Sequence, residues 1–229
     1  GLSKYTQEAM LGDDGKASWQ AGAADSHDED VLRPAKNAFS ATGGMIRVQG
    51  NIGEAVLKVS AVAEEHRIIE APAKVFHDQD DVKAAFDAGE LEGDFICVVR
   101  FQGRKANGMP ELHSLTPALS VLQGRGQKVA LVTDGRMSGA SGKVPAAIHL
   151  TPEALAGGLI AKIQDGDMVR LDAVEGTLSV LISDEELNNR EAAQQDLTDS
   201  HQGMGRELFS AQRILVSGAE QGACSLFND

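Results

Sequence analysis

Two glycine-rich stretches carry most of the residues in this chain that could do chemistry. VALVTDGRMSGASGKVP runs from Val129 to Pro145, and QGRKANGMPELH from Gln102 to His113. In the first, an apolar run breaks into a loop with glycines at 135, 139 and 142 and serines at 138 and 141. The bare loop leaves Ser138 unshielded and lets backbone approach a ligand closely, while Ser141 either positions a ligand or caps the turn. The second stretch holds Arg104, Lys105, Asn107 and, behind a Gly-Met-Pro turn, Glu111. A carboxylate fixed behind a proline suits Mg²⁺, which takes hard oxygen donors and often only one or two carboxylates from a domain. It equally suits the first turn of a helix, where an acid is favourable.

Familiar phosphate and nucleophile patterns do not fit. The P-loop needs glycine, four residues, then Gly-Lys-Ser/Thr. Gly142 and Lys143 match, but Met137 and Val144 stand at the outer positions. The dinucleotide fingerprint lacks its first glycine. The nucleophile elbow Gly-x-Ser-x-Gly fails at Arg136 for Ser138 and at Lys143 for Ser141. The local pattern therefore leaves two readings open, a tight turn without chemistry and an accessible hydroxyl that works on a ligand. Arg104, Lys105, Arg136 and Lys143 are candidates for holding a carboxylate or phosphate. Arg206 and Arg213 are further phosphate candidates near the C-terminus. His113 and His149 are alternative general bases, histidine being the commoner choice for that role.

The chain has 229 residues and a net charge of -13 with 21 basic residues. That balance argues against nucleic acid and anionic membrane as partners, and it makes basic residues in loops stand out. Aromatic content is 4%, so the core must come from Val, Ile, Leu and Ala. The two cysteines, Cys97 and Cys224, lack metal-ligand spacing and read as reduced thiols. No apolar run approaches the roughly 20 residues of a membrane span, and no signal peptide is visible. The chain opens on Gly1 rather than Met, which reads as a piece of something longer, cytoplasmic by default.

Residues 1–40 are polar and aperiodic and read as an arm or interdomain linker anchored by Trp19. From residue 41 to 229 the texture is that of one domain. MIRVQGN, AVLKVSAV and RIIEAPAKVF read as strands, with Gly50 and Gly53 turning the first two. DQDDVKAAFDAGEL has acids in its first turn and should be helical to about Gly89. DFICVVRF and QKVALVT are continuous apolar strands, and SLTPALSVLQGRG between them is a helix closed by Gly124. Thr151 and Pro152 form a cap and first-turn pair, which predicts a helix over PEALAGGLIAKIQ. MVRLDAVEGTLSVLIS is a hairpin about Glu175 and Gly176. Ser183 with Glu186 forms a capping box that starts a helix over DEELNNREAAQQ. GRELFSAQRILVSGAEQGA ends the chain as a further helix. Strands and helices mix without strict alternation, so the fold class is α/β with a mixed, barrel-like sheet.

ANGMPELH followed by VTDGRMSGASGKVPAAIHLTPEA resembles the C-terminal domain of the dihydroxy-acid and phosphogluconate dehydratase family. GNIGEAVLKVSAV and RIIEAPAKVFHDQDDVKAAF resemble the same family. Asn107 and His113 in the carboxylate loop, and GRELFSAQRILVSGAEQGA, are similar to its phosphogluconate branch. Arg104 departs from the family, which usually has proline there. The resemblance implies a swivelling β/β/α domain over residues 41–229, with an N-terminal cluster-binding domain absent from the chain. It implies a hydro-lyase of the Entner-Doudoroff pathway acting on a phosphorylated sugar acid, inactive as this domain alone. Ser138 would be the base and Glu111 the Mg²⁺ ligand. Lys105, Asn107, Arg136, Ser141 and Lys143 would contact substrate. It also implies an iron–sulfur cluster, 4Fe–4S in preference to 2Fe–2S, whose ligands lie outside this chain, and a homodimer.

Overall fold

A computed structural model describes residues 6–138 and 142–226. Contacts divide the chain into two units, Gly1–Gly43 and Gly44–Asp229. Within the first, β1 (Gln7–Leu11) and β2 (Ala17–Ala21) pair antiparallel, with Ala9 opposite Trp19. The expected anchor, Trp19, is 69% exposed. A lone two-stranded ribbon has no second layer to cover an indole, so the aromatic sits on an open face.

The second unit is a closed barrel of eight strands. Their chain positions are β3 (Met45–Gly50), β4 (Gly53–Lys58), β5 (Ile68–Phe76), β6 (Phe95–Val99), β7 (Val129–Thr133), β8 (Ala146–Thr151), β9 (Met168–Asp172) and β10 (Thr177–Val180). Around the barrel the order is β10-β3-β4-β8-β7-β6-β5-β9. β5, β6, β7 and β8 run parallel, and the hairpins β3–β4 and β9–β10 are antiparallel. The mixed barrel anticipated from the sequence is therefore present. The turn between β3 and β4 needs glycine: Gly53 has φ +121°, and a Cβ on Gly50 would collide with the Leu178 carbonyl.

β6 and β7 explain their unbroken apolar sequence. Ile96, Val98, Ala130 and Val132 face the barrel interior with Leu57, Ile69, Leu150 and Leu171. Phe95, Cys97, Val99, Val129 and Leu131 face outward into a second cluster with Val82, Leu115, Leu119 and Leu122. Strands buried on both faces need no alternation. The outer cover is two helices, α1 (Gln79–Asp87) and α2 (Leu115–Gly124), which make the β5–α1–β6–α2–β7 crossovers. Asp78 caps α1 by accepting the Asp80 N–H at 2.9 Å, and Gly89 ends it with φ +74°.

Three predicted helices are corrected. Residues 152–164 form two 3-10 turns, Ala154–Ala156 and Leu159–Lys162. Gly157 has φ +83°, and Gly158 lies against the Pro152 carbonyl where any Cβ would clash, so the chain doubles back. The Ser183 cap is present, its hydroxyl accepting the Glu186 N–H at 3.1 Å, but α3 (Asp184–Asn189) stops early. Arg190 turns extended and pairs with Asp167 instead. The helix expected over GRELFSAQRILVSGAEQGA breaks into a 3-10 turn (Arg206–Phe209), α5 (Ser210–Leu215) and a second 3-10 turn (Ala219–Gln221), with Val216 extended and Gly222 at positive φ, and a short α4 (Thr198–His201) precedes it.

Candidate active site at the strand ends

Because β6 and β7 are parallel neighbours, the two chemistry-bearing loops leave the same end of the sheet. This is where open and closed α/β sheets alike place ligands. The loops meet side by side. Glu111 and Arg136 form a parallel bridge, and the Leu112 N–H donates to the Arg136 carbonyl at 3.2 Å. The Ser138 N–H donates to Glu111 Oε1 at 2.7 Å, and Arg136 Nη1 donates to Glu111 Oε2 at 2.8 Å. Arg136 Nε also donates to the Met109 carbonyl at 2.9 Å. Ser138 is exposed and lines a crevice of about 20 Å³ with Met137, Lys58 and Ile148. That space admits a water-sized group.

What brings the loops together is Asp134, a residue to which sequence reasoning assigned no part. Its carboxylate is fully buried and accepts three backbone N–H groups, those of Phe101 (3.2 Å), Gln102 (2.9 Å) and Ala154 (2.9 Å). One side chain thus pins the start of the β6 loop, the start of the β7 loop and the segment leaving β8. Burial pushes its pKa up, against the backbone donors that favour the charge. Glu153 repeats the device. Also fully buried, it accepts the Lys105 N–H at 3.1 and 3.2 Å and faces Arg104 Nη2 at 3.6 Å. A Cβ on Gly103 would occupy the place of that carboxylate, which is why glycine precedes Arg104. Phe101, Met109 and His149 all take positive φ around these anchors, strained backbone of the sort that functional sites retain.

The other candidates sort into separate places. Arg136 is committed to Glu111 and Met109, so it orients the carboxylate. Lys143 is exposed, with its carbonyl accepting from Gln123 of α2 at 3.3 Å. Arg104 is buried, pairs with Glu153 and donates from Nε to the Ser217 carbonyl at 3.1 Å. Lys105 and Asn107 turn to the C-terminal segment, where Asn107 Oδ1 accepts from Arg206 at 3.4 Å. His113 is exposed. His149 lines a cavity of about 520 Å³ with Arg47, Arg104, Met109, Thr151 and Glu220. Burial first, then the Arg104 and Arg136 guanidiniums, lowers its pKa. Ser141 lies outside the described residues.

As a Mg²⁺ site, the donor set is small but chemically apt. Glu111 offers one hard carboxylate with lone pairs beyond the two bonds it accepts. Among the described residues no group of three or more His, Cys, Asp or Glu converges on a metal-sized site. The cysteines do not fit an iron–sulfur cluster. Cys97 is fully buried in β6, and burial pushes its thiol up to about 12, far from the thiolate a cluster requires. Cys224 lies near Ser217, whose hydroxyl accepts its N–H at 3.1 Å. Among the described residues no helix is long and apolar enough to cross a membrane.

Two outcomes follow. Asp134→Ala should destabilise the fold by about 3 kcal/mol or more, since each orphaned buried N–H costs about 1–3 kcal/mol; Asp134→Asn, which keeps an acceptor, should cost less. Urea unfolding measures both, and equal losses would refute the anchoring role. The second concerns pH. A histidine with a lowered folded-state pKa binds protons more readily when unfolded, so its effect on stability is absent above about pH 6.5 and becomes a loss as pH falls below that value. His149→Gln should flatten the acid side of the melting profile, and a slope unchanged from wild type would contradict this.

Comparison with known proteins places the site in context. A family model described as dihydroxy-acid/6-phosphogluconate dehydratase C-terminal matches residues 30–223. A Pseudomonas aeruginosa protein named phosphogluconate dehydratase is 59% identical over 98% of this chain and 37% of its own length. A Rhizobium meliloti protein of the same name is 55% identical over 100% of the chain and 38% of its length. A Clostridium beijerinckii dihydroxy-acid dehydratase is 42% identical over 71% of the chain and 30% of its length. The chain spans less than two fifths of these relatives. A closed mixed barrel whose parallel-strand loops bring Glu111 of GMPE against Arg136 and Ser138 thus belongs to the dihydroxy-acid/6-phosphogluconate dehydratase family, of which it is the C-terminal domain.

Proposed function

We propose that this chain is the substrate-facing part of a hydro-lyase that dehydrates 6-phospho-D-gluconate to 2-dehydro-3-deoxy-6-phosphogluconate, a step of the Entner-Doudoroff pathway. The observation that carries the reading is the 2.7 Å hydrogen bond from the Ser138 N–H to Glu111, which sets an exposed hydroxyl beside a carboxylate. The names of the relatives at 59% and 55% identity support the substrate.

Dehydration takes a proton from C2 and hydroxide from C3, and the resulting enol becomes a ketone. The neighbouring carboxylate resists further negative charge, so C2 is a weak acid. A Mg²⁺ at Glu111 would supply positive charge where that negative charge develops. Ser138 Oγ accepts the C2 proton, for which it must act as the alkoxide in strong positive potential. The Arg136 guanidinium contributes to that potential and keeps Glu111 aimed at the Ser138 turn. The abstracted proton and the departing hydroxide together balance the water released. The crevice at Ser138 is too small for a six-carbon acid. The reading therefore supplies the opposite wall from an upstream domain, which also carries the iron–sulfur cluster ligands, and makes this domain inactive alone. A cytoplasmic homodimer belongs to the same reading. Branched dihydroxy acids or other aldonates are the alternative substrates, and a non-catalytic sugar-acid-binding module is the alternative role.

A second base is favoured by one observation. His149 lines the 520 Å³ cavity beside Met109 and is held toward its neutral, proton-accepting form. The two readings separate by substitution in the full-length protein. Ser138→Ala should lower kcat by about 10²–10⁴-fold, the usual yield of a positioned base, with the fold intact. Turnover surviving in Ser138→Ala but lost in His149→Gln would transfer the role to the histidine.

A further inference from the structure

The loop that presents Glu111 has a second side. Asn107, Pro110, Ser200, Arg206, Phe209 and Arg213 enclose a groove of about 310 Å³ between this loop and the C-terminal segment. Arg213 is also the wall of an adjoining crevice that holds Lys105, His201 and Ser210. Three cations therefore gather here in a protein of net charge -13. Their heads are placed by backbone. Arg206 Nη1 donates to the Ser200 carbonyl at 2.6 Å and to Asn107 Oδ1 at 3.4 Å. Arg213 donates to the Arg206 carbonyl at 2.8 Å and to the His201 carbonyl at 3.4 Å. His201 Nε2 bonds the Ala106 carbonyl at 2.7 Å, tying α4 to the loop. The nearby acid, Glu207, accepts the Gly203 N–H at 2.6 Å and offsets part of the Arg213 charge, leaving the cluster net positive.

Carbonyl partners hold a guanidinium in place without neutralising it. Each guanidinium has five donors, and those not used above remain for an oxyanion. Two forked cations and one ammonium match a phosphate monoester, which takes bidentate contacts from arginine and a point charge from lysine. Asn107 lies four residues before Glu111, so the groove is within about 14 Å of the reacting end along the chain. We propose that this groove is the phosphate subsite, with Arg206 and Arg213 gripping the terminal phosphate and Lys105 adding charge, while the carboxylate end of the acid lies at Glu111 and Ser138. The assignment rests on the dehydration reading above, and names what selects a phosphorylated acid over a plain one.

The test uses the full-length protein with Arg206→Met, Arg213→Met and the conservative Arg206→Lys. The ratio of kcat/KM for 6-phosphogluconate to that for gluconate should fall about 10- to 100-fold in the methionine variants, as expected for loss of a charge-assisted contact. Arg206→Lys should recover part of it. Inorganic phosphate, titrated calorimetrically, should bind wild type and bind the methionine variants at least about tenfold more weakly. A ratio within about twofold of wild type, or unchanged phosphate binding, overturns the subsite. Wild type that turns over neither acid while phosphate binding still depends on Arg206 and Arg213 would instead overturn the dehydration reading and leave the oxyanion site standing.

Discussion

The site depends on one buried carboxylate. From the loop after β7, Asp134 accepts N–H groups from two others, Phe101 and Gln102 after β6 and Ala154 after β8, and each of those donors would otherwise be stranded near the end of a strand. A side chain with several lone-pair sites can do this where backbone cannot, because strand ends leave donors pointing in divergent directions. The cost is a carboxylate in a dry interior. Burial shows that cost as a raised pKa, and the three donors offset it. Since all three loops hang from one group, their relative placement is rigid, as a reaction that aligns a base with a carboxylate requires.

The Arg104–Glu153 pair extends the same logic toward the C-terminus. Both groups are buried, and such a pair adds little net stability by itself because desolvation opposes the attraction. Its value is positional. Glu153 holds the loop at Lys105, and Arg104 reaches the Ser217 carbonyl, so the last segment is tied to the strand ends. The Thr151 hydroxyl adds a bond to Glu220 at 2.5 Å. Arg104 thus fastens two segments of the chain through one long side chain. The fastened segment is the one that lines the cationic groove.

Much of this was legible beforehand. The barrel strands follow from apolar runs bounded by glycines, because hydrophobic patterning and turn residues act locally. Ser138 and Glu111 followed from the residues around them and from the family resemblance, and they do lie together. The helix expected over residues 152–164 did not form, because local cap signals lost to Gly157, Gly158 and the demand for Glu153 inside. Trp19 lacked a layer to cover it, a property of the tertiary neighbourhood rather than of the tryptophan.

By itself the sequence determined the strands, the two reactive turns and the acidic background against which a few cations matter. Those are set by side-chain type and spacing within a dozen residues. The tertiary structure alone decided that Asp134 and Glu153 are interior anchors, that Arg136 serves Glu111, and that Lys105 and Arg213 line one crevice. These depend on barrel closure and on parallel strand register, which bring residues distant in the chain within hydrogen-bond reach, and no local pattern encodes which donors a buried carboxylate will meet.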